Sequence, residues 1–357
     1  MRLLSKLNVS ICFILGIGCA PVPTQIDDIA PISTVQNGVF SGTIMQSSDQ
    51  GQTWTDISDG LPPEGRINAA TVADGQLIVG YDKSNLYMRG NAAPHPWIKS
   101  SMNCRAFSLV PEDRLFFTSI YPTSTAVYIY VIHEGLYKKR HGMAAWEELG
   151  TPMGLFSVND IQEDEAGNVY LACHSGLYFS ADGGLTWEAR SNFGWVLDLQ
   201  WQAGTLIASG QGGIYSTDNQ GHHWRALSTP LDAGFEGLAV DDFAYDLKPT
   251  SRGIVAIRSR TPEDKGVAGK VQLSTDGGHT WQLHPADAYL KDLEDITSVI
   301  FHQGRIYCSY QGGVICSKDN GQTWDTLLRY DTPKEGMSLQ LDVLGDVLYC
   351  MEVAMGC

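Results

Sequence analysis

The sequence predicts an all-β fold: a single seven-bladed β-propeller of four-stranded antiparallel blades. Three observations carry that expectation: an eight-residue motif that recurs, tryptophans at blade-sized intervals, and repeats left incomplete at both ends of the chain. The motif reads Ser-x-Asp-x-Gly-x-Thr-Trp. It occupies Ser47 to Trp54, Ser180 to Trp187, Ser274 to Trp281 and Ser317 to Trp324. A worn copy runs from Thr217 through Asn219, Gly221 and His223 to Trp224. Recurrence at such a period marks a solenoid, propeller or array.

Each motif position suits a tight turn between two strands. Asp49, Asp182, Asp276 and Asp319, and Asn219 in the worn copy, can accept backbone N–H groups a few residues on. The glycine takes a positive φ at little steric cost. The tryptophan opens the next strand and supplies a large apolar body. Turn chemistry accounts for every position, and the Asp-x-Asp-x-Asp spacing of a calcium loop is absent from all five copies.

These residues resemble the Asp-box, or BNR, repeat of sialidases, xyloglucan-active glucanases, sortilin-like receptors and photosystem II assembly factors. The resemblance extends over essentially everything after residue 36. It implies that each box lies on the turn between the third and fourth strands of a blade, on the face opposite the ligand site.

Trp54, Trp187, Trp224, Trp281 and Trp324 stand 133, 37, 57 and 43 residues apart. The long first gap holds two eroded copies, Leu86-Tyr87-Met88-Arg89 before Trp97 and Leu136-Tyr137-Lys138-Lys139 before Trp146. Seven of the nine tryptophans then fall on one series, which argues against chance. Strand–turn–strand patterns precede the anchors, as in residues 168–179 and 205–215, with apolar alternation bounded by Gly, Asn and Asp. Innermost strands are expected at Val196–Trp201 and Ile296–Phe301. The third repeat leaves its second strand open between 115–120 and 127–132, and the sixth carries an insertion near 260–269. Only a third strand, 38–46, fits before Trp54, whereas 337–344 and 346–353 read as a first and second strand. An N/C-terminal clasp is therefore expected, which removes free sheet edges.

The ends divide the chain further. Residues 1–18 have a basic start and an apolar run too short to span a bilayer, and read as a signal peptide. Cys19 follows Gly16-Ile17-Gly18, which resembles a bacterial lipobox with Gly16 where Leu is usual. Lipidation at Cys19 is expected, with ordinary signal cleavage as the alternative, and Ala20 after the cysteine suggests the outer membrane. Residues 19–36 read as a lipid-anchored tether and 37–357 as the propeller. Removing residues 1–18 takes two of 24 cations and none of 40 anions, leaving a charge of −18. That balance opposes nucleic-acid binding and leaves the lipid as the expected membrane contact. Lys138-Lys139-Arg140-His141 is the one basic run and reads as a solvated strand end. Cys308 and Cys316 flank one turn, and either a disulfide or two buried thiols fits the spacing. No motif calls for a metal or cofactor.

A propeller gathers its ligands at the end formed by the turns between second and third strands and by the links between blades. Candidates there are Arg66, Arg105, Asp160, Trp195, Glu236, Arg258 and Asp295, with Asp82, His133, Glu134, His174 and Glu335 nearby. The resemblance to sialidases implies three arginines, a Tyr–Glu nucleophile pair, an acid–base Asp and an early Arg-Ile-Pro. Arg66-Ile67-Asn68 and Arg305-Ile306-Tyr307 lack the proline. The glucanase resemblance implies two propellers, and the length suffices for one. The expected function is a monomeric, non-catalytic, cell-envelope scaffold that binds a protein or glycan at this face. The alternative is a sialidase-like exo-acting glycoside hydrolase on the same face, for which Arg66, Arg105 and Arg258 would have to converge near a Tyr–Glu pair.

Overall fold

The computed structural model describes residues 38–40, 42–63, 65–81, 85–90, 96–100, 117–131, 135–152, 157–191, 194–211, 213–227, 245–258, 271–293 and 296–354. Among them the all-β class holds: short strands dominate, and the one helix, Asp287–Leu290, is a single turn. Residues 1–37, and with them the expected signal, Cys19 and tether, lie outside the described residues, as does the insertion near 260–269.

Four strands in sequence order make each standard blade. One runs Val196–Gln202, Thr205–Gly210, Gly213–Thr217 and Arg225–Leu227, all antiparallel. Among the described residues five units of this form are present, beginning at Phe117, Asp160, Val196, Tyr245 and Ser298. The last gains Gly38–Val39, added in parallel to its outer strand. The expected count of seven separate blades is therefore corrected. The remaining strands form a single eight-stranded sheet, because Val353 pairs in parallel with Ile67 and fuses two sets of strands at their ends. In the repeat left open above, Phe117–Pro122 is the innermost strand and Ala126–Val131 the second.

Within the fused sheet the two ends of the chain meet. Ile44–Ser47 pairs antiparallel with Val347–Ala354, Ile44 opposite Met351 and Ser47 opposite Leu348. Met337–Leu344 lies on the other side of the same strand. Phe40 then seats edge-on against Tyr330, 5.4 Å between ring centres. The cores lie between successive sheets, and each is built from alternate residues of facing strands. That alternation decides the fate of Cys308 and Cys316. Cys308 faces Ile315 and Cys316 faces Tyr307 in register, so the two point to opposite sides of the sheet. Both are buried free thiols, and the disulfide alternative is set aside.

The boxes repeat one hydrogen-bond pattern. In the copy at 274–281, Ser274 Oγ donates to Asp276 Oδ1 at 2.9 Å and accepts Gly278 N–H at 2.7 Å. Thr280 donates its N–H to Oδ1 at 2.9 Å and its hydroxyl to Oδ2 at 2.6 Å. Copies at 47, 180 and 317 match. The worn copy keeps His223 N–H to Asn219 Oδ1 at 3.0 Å, while His223 replaces the threonine that supplies the hydroxyl bond. Hydrogen bonds from Thr280 and Thr323 lead in holding the Asp276 and Asp319 carboxyls down at about 2. A graded result is expected: Asp276→Asn keeps one acceptor, as the worn copy does, and lowers Tm less than Asp276→Ala. Equal losses in a thermal melt would show that the carboxylate geometry contributes nothing.

Each anchor tryptophan comes immediately before an outer strand, Trp97 and Trp146 included. Their indole N–H groups are used in two ways. Trp281 and Trp324 donate to the glycine carbonyl of their own box, at 3.0 and 3.2 Å. Trp97, Trp187 and Trp224 instead donate to Ile57, Gly150 and Arg190 carbonyls in the preceding unit, at 2.7–2.8 Å. The tryptophan thus also ties neighbouring sheets, a role the turn reading did not contain.

Candidate functional site

Antiparallel order puts the box turns at one end of the sheets and the inter-blade links at the other. The candidate residues that are described fall at the second end. Arg66 directly precedes the inner strand Ile67–Ala73 and is exposed; Trp195 directly precedes Val196–Gln202 and is half-buried. Arg258 closes the strand Gly253–Arg258, buried and opposite Tyr245. His174 and Glu335 are exposed at this end. Arg105, Glu236, Asp295, Asp82, His133 and Glu134 lie outside the described residues.

Asp160 opens the inner strand Asp160–Glu163 and is buried. Its Oδ1 accepts its neighbour Ile161 N–H at 2.9 Å, and its Oδ2 accepts Leu199 N–H of the next inner strand at 3.0 Å. The same device recurs around the ring. Asp198 Oδ2 accepts Leu247 N–H at 2.8 Å, and Ser298 Oγ accepts Leu341 N–H at 3.1 Å. Gln340 Nε2 donates to Ala70 O at 3.0 Å, and Asp342 Oδ2 accepts Val72 N–H at 2.9 Å. Inner strands of neighbouring strand sets share no ladder with one another, so side chains satisfy their backbone groups. Burial pushes the Asp342 carboxyl up to about 6, against the pull of the Val343 and Val72 N–H groups and of Lys248. Sequence reasoning placed Asp160 among ligand candidates and passed over Asp198, Ser298, Gln340 and Asp342. The signal was there: an Asp inside an apolar run, as in Val196-Leu197-Asp198-Leu199, implies a buried carboxylate with a partner.

Two further polar clusters were not foreseen. In the first, Glu163 accepts Lys138 Nζ at 2.8 Å, Tyr128 and Thr123 hydroxyls at 2.6 Å each, and the Thr125 hydroxyl. Lys138 is 3 % exposed, which corrects the reading of its basic run as a solvated strand end. It faces Tyr128 in register and its ammonium lies 4.9 Å from that ring. Burial alone would raise the Glu163 carboxyl, but the four hydrogen bonds outweigh it and hold the group at about 2.

The second cluster lies at the link-and-turn end, where the last blade meets the fused sheet. Glu352, 2 % exposed on Val347–Ala354, accepts the Tyr330 hydroxyl on one oxygen and Lys334 Nζ on the other. This is a Tyr–Glu pair of the kind the hydrolase alternative requires, but the cation beside it is Lys334. Among the described residues no group of three or more His, Cys, Asp and Glu is placed to hold a metal ion.

Comparison with known proteins supports the fold. The BNR/Asp-box repeat family matches residues 272–283. No curated protein matches the sequence. Among solved structures, YCF48 bound to a D1 peptide superposes with TM-score 0.56 at 13 % identity, over 88 % of this chain and 98 % of that one. The extracellular domain of BT3049 from B. thetaiotaomicron gives TM-score 0.54 at 12 % identity, over 83 % of this chain and 41 % of that one. Human WBSCR16 gives TM-score 0.51 at 10 % identity, over 83 % and 88 %. The chain is thus similar in fold to BNR-type β-propellers.

Proposed function

We propose that the chain is a binding or assembly scaffold that recruits a protein partner through the end carrying the inter-blade links. The observation that carries this reading is how the motif's carboxylates are used. Asp49, Asp182, Asp276 and Asp319 are held in turn hydrogen bonds, and Asp160 bonds the backbone of the next inner strand. Recognition is left to the opposite end, where Arg66, Trp195 and Arg258 stand beside links of varied length. That YCF48 holds a D1 peptide on a propeller of the same fold supports a peptide or protein partner, with glycan as the competing ligand. Export, lipidation at Cys19 and residence at the outer membrane belong to the same proposal, and the mass of the mature N-terminus tests them: an unmodified Ala20 terminus sinks the anchor.

The main test is a pull-down with the chain lacking residues 1–18, run beside a panel of aryl glycosides. A partner captured by the wild type and lost with Trp195→Ala, without glycoside turnover, is the expected result. Turnover abolished by Arg66→Ala or Arg258→Ala would establish the hydrolase instead.

A further inference from the structure

We propose that the closure seam carries a site for a primary ammonium group, filled here by the chain's own Lys334, and that a lysine of a basic partner segment takes Lys334's place. This rests on the scaffold reading for its biological use, though the site itself stands on geometry.

The two halves of the Lys334–Glu352 contact are unequal. The Glu352 side chain is 3 % exposed and belongs to a central strand, whereas the Lys334 side chain is 65 % exposed and comes from the link between Tyr330 and Met337. A carboxylate fixed in a sheet is paired with a cation that solvent can reach. The rest of the site is equally fixed. Tyr330 donates its hydroxyl to Glu352 and packs edge-on against Phe40, and all three are buried. Burial, with Glu352 adjacent, pushes that hydroxyl up to about 12, so it stays a donor.

Displacement does not require the link to unfold. Lys334 N–H is held by the Tyr330 hydroxyl at 3.1 Å, and Lys334 O accepts Met337 N–H at 3.1 Å. The backbone is therefore pinned independently of the ammonium, and the side chain alone can swing out. An incoming ammonium would meet the same carboxylate oxygen, held in place by the Tyr330 hydroxyl, and a charge-assisted hydrogen bond of this kind favours a cation. The excess of 40 acidic over 24 basic residues steers basic segments toward the chain as a whole. Lys334 thus acts as a tethered competitor: a partner lysine must outbid it, which sets a threshold on partner charge.

The test is chemical rescue with n-butylammonium, the lysine head group alone. Lys334→Ala leaves Glu352 with the Tyr330 hydroxyl but without its cation, and is expected to lower Tm by several degrees. Butylammonium chloride is expected to restore most of that loss, compared with sodium chloride at matched ionic strength, and to leave the wild type unmoved. Lys334→Gln, which retains a neutral donor, provides the same reading if the alanine variant does not fold. Rescue must vanish when Glu352→Gln is added. Absence of rescue in both lysine variants, or rescue that survives Glu352→Gln, overturns the site. These outcomes are independent of the pull-down, so loss of the scaffold reading would leave the ammonium site intact, and the reverse.

Discussion

Replacing Lys138 by methionine is expected to destabilise the fold by about 3–5 kcal/mol, the scale of stranding one member of a buried ion pair. Lys138 Nζ and Glu163 Oε1 are 2.8 Å apart, with side chains 4 % and 1 % exposed. Methionine fills similar volume and leaves the carboxylate facing only neutral donors. The double variant Lys138→Met with Glu163→Gln should recover part of the loss, because no bare charge remains. Acid provides a second reading. Glu163 sits at about 2 in the fold against an ordinary 4.5, so its contribution is whole above about pH 4.5 and is lost as pH falls through about 2. Without Lys138 the carboxyl loses its strongest stabilising partner, and the acid loss should begin at higher pH. Urea unfolding of both variants at neutral and acid pH checks this. A Lys138→Met protein within 1 kcal/mol of wild type, on the order of a surface substitution, would show that the pair is ornamental.

That pair also marks where sequence reading stops. The box turns were legible because their chemistry is local: Ser274, Asp276, Gly278 and Thr280 bond one another within seven residues. The tryptophan series was legible for the same reason, and the meeting of 44–47 with 348–351 followed from two half-repeats. The inner-strand ties were not, since Asp160 to Leu199 spans 39 residues and depends on how separate sheets settle in register. The single parallel bridge from Val353 to Ile67, which makes one sheet of eight strands, has no motif at all. Lys138 failed for a period-two reason: in Gly135–Arg140 it shares the inward face with Leu136, although its neighbours Lys139 and Arg140 suggested solvent. The candidate binding end is legible only in part. Arg66 and Trp195 stand at the starts of inner strands as expected, but what converges there depends on links whose lengths differ from blade to blade.

The second large effect is expected from Gly321→Ala, at about 2–5 kcal/mol, which combines a left-handed backbone penalty with overpacking. Gly321 has φ of 89°, and a methyl group there would stand 2.4 Å from Ala286 Cα and 2.6 Å from Ala286 N. The obstruction is the backbone of the preceding blade, beside the helix Asp287–Leu290, so no rotamer change relieves it. Gly278 shows the softer version of the same contact, 2.4 Å from Leu227 Cδ1, a side-chain end that can turn away. Gly183 separates the two causes. It also has positive φ, at 75°, but nothing lies within 4 Å of its added carbon. The equivalent position in other boxes is held by Gln50, Gln220 and Asn320 at φ of 60–63°, so a side chain fits there. Gly183→Ala should therefore cost only the backbone penalty of about 1–2 kcal/mol. The ranking expected in urea unfolding is Gly321→Ala worst, Gly278→Ala between, and Gly183→Ala mildest. If Gly321→Ala costs no more than Gly183→Ala, the fifth residue of the box is a turn residue only. If the ranking holds, that glycine is also the point of closest approach between blades, and the motif sets blade packing as well as the turn.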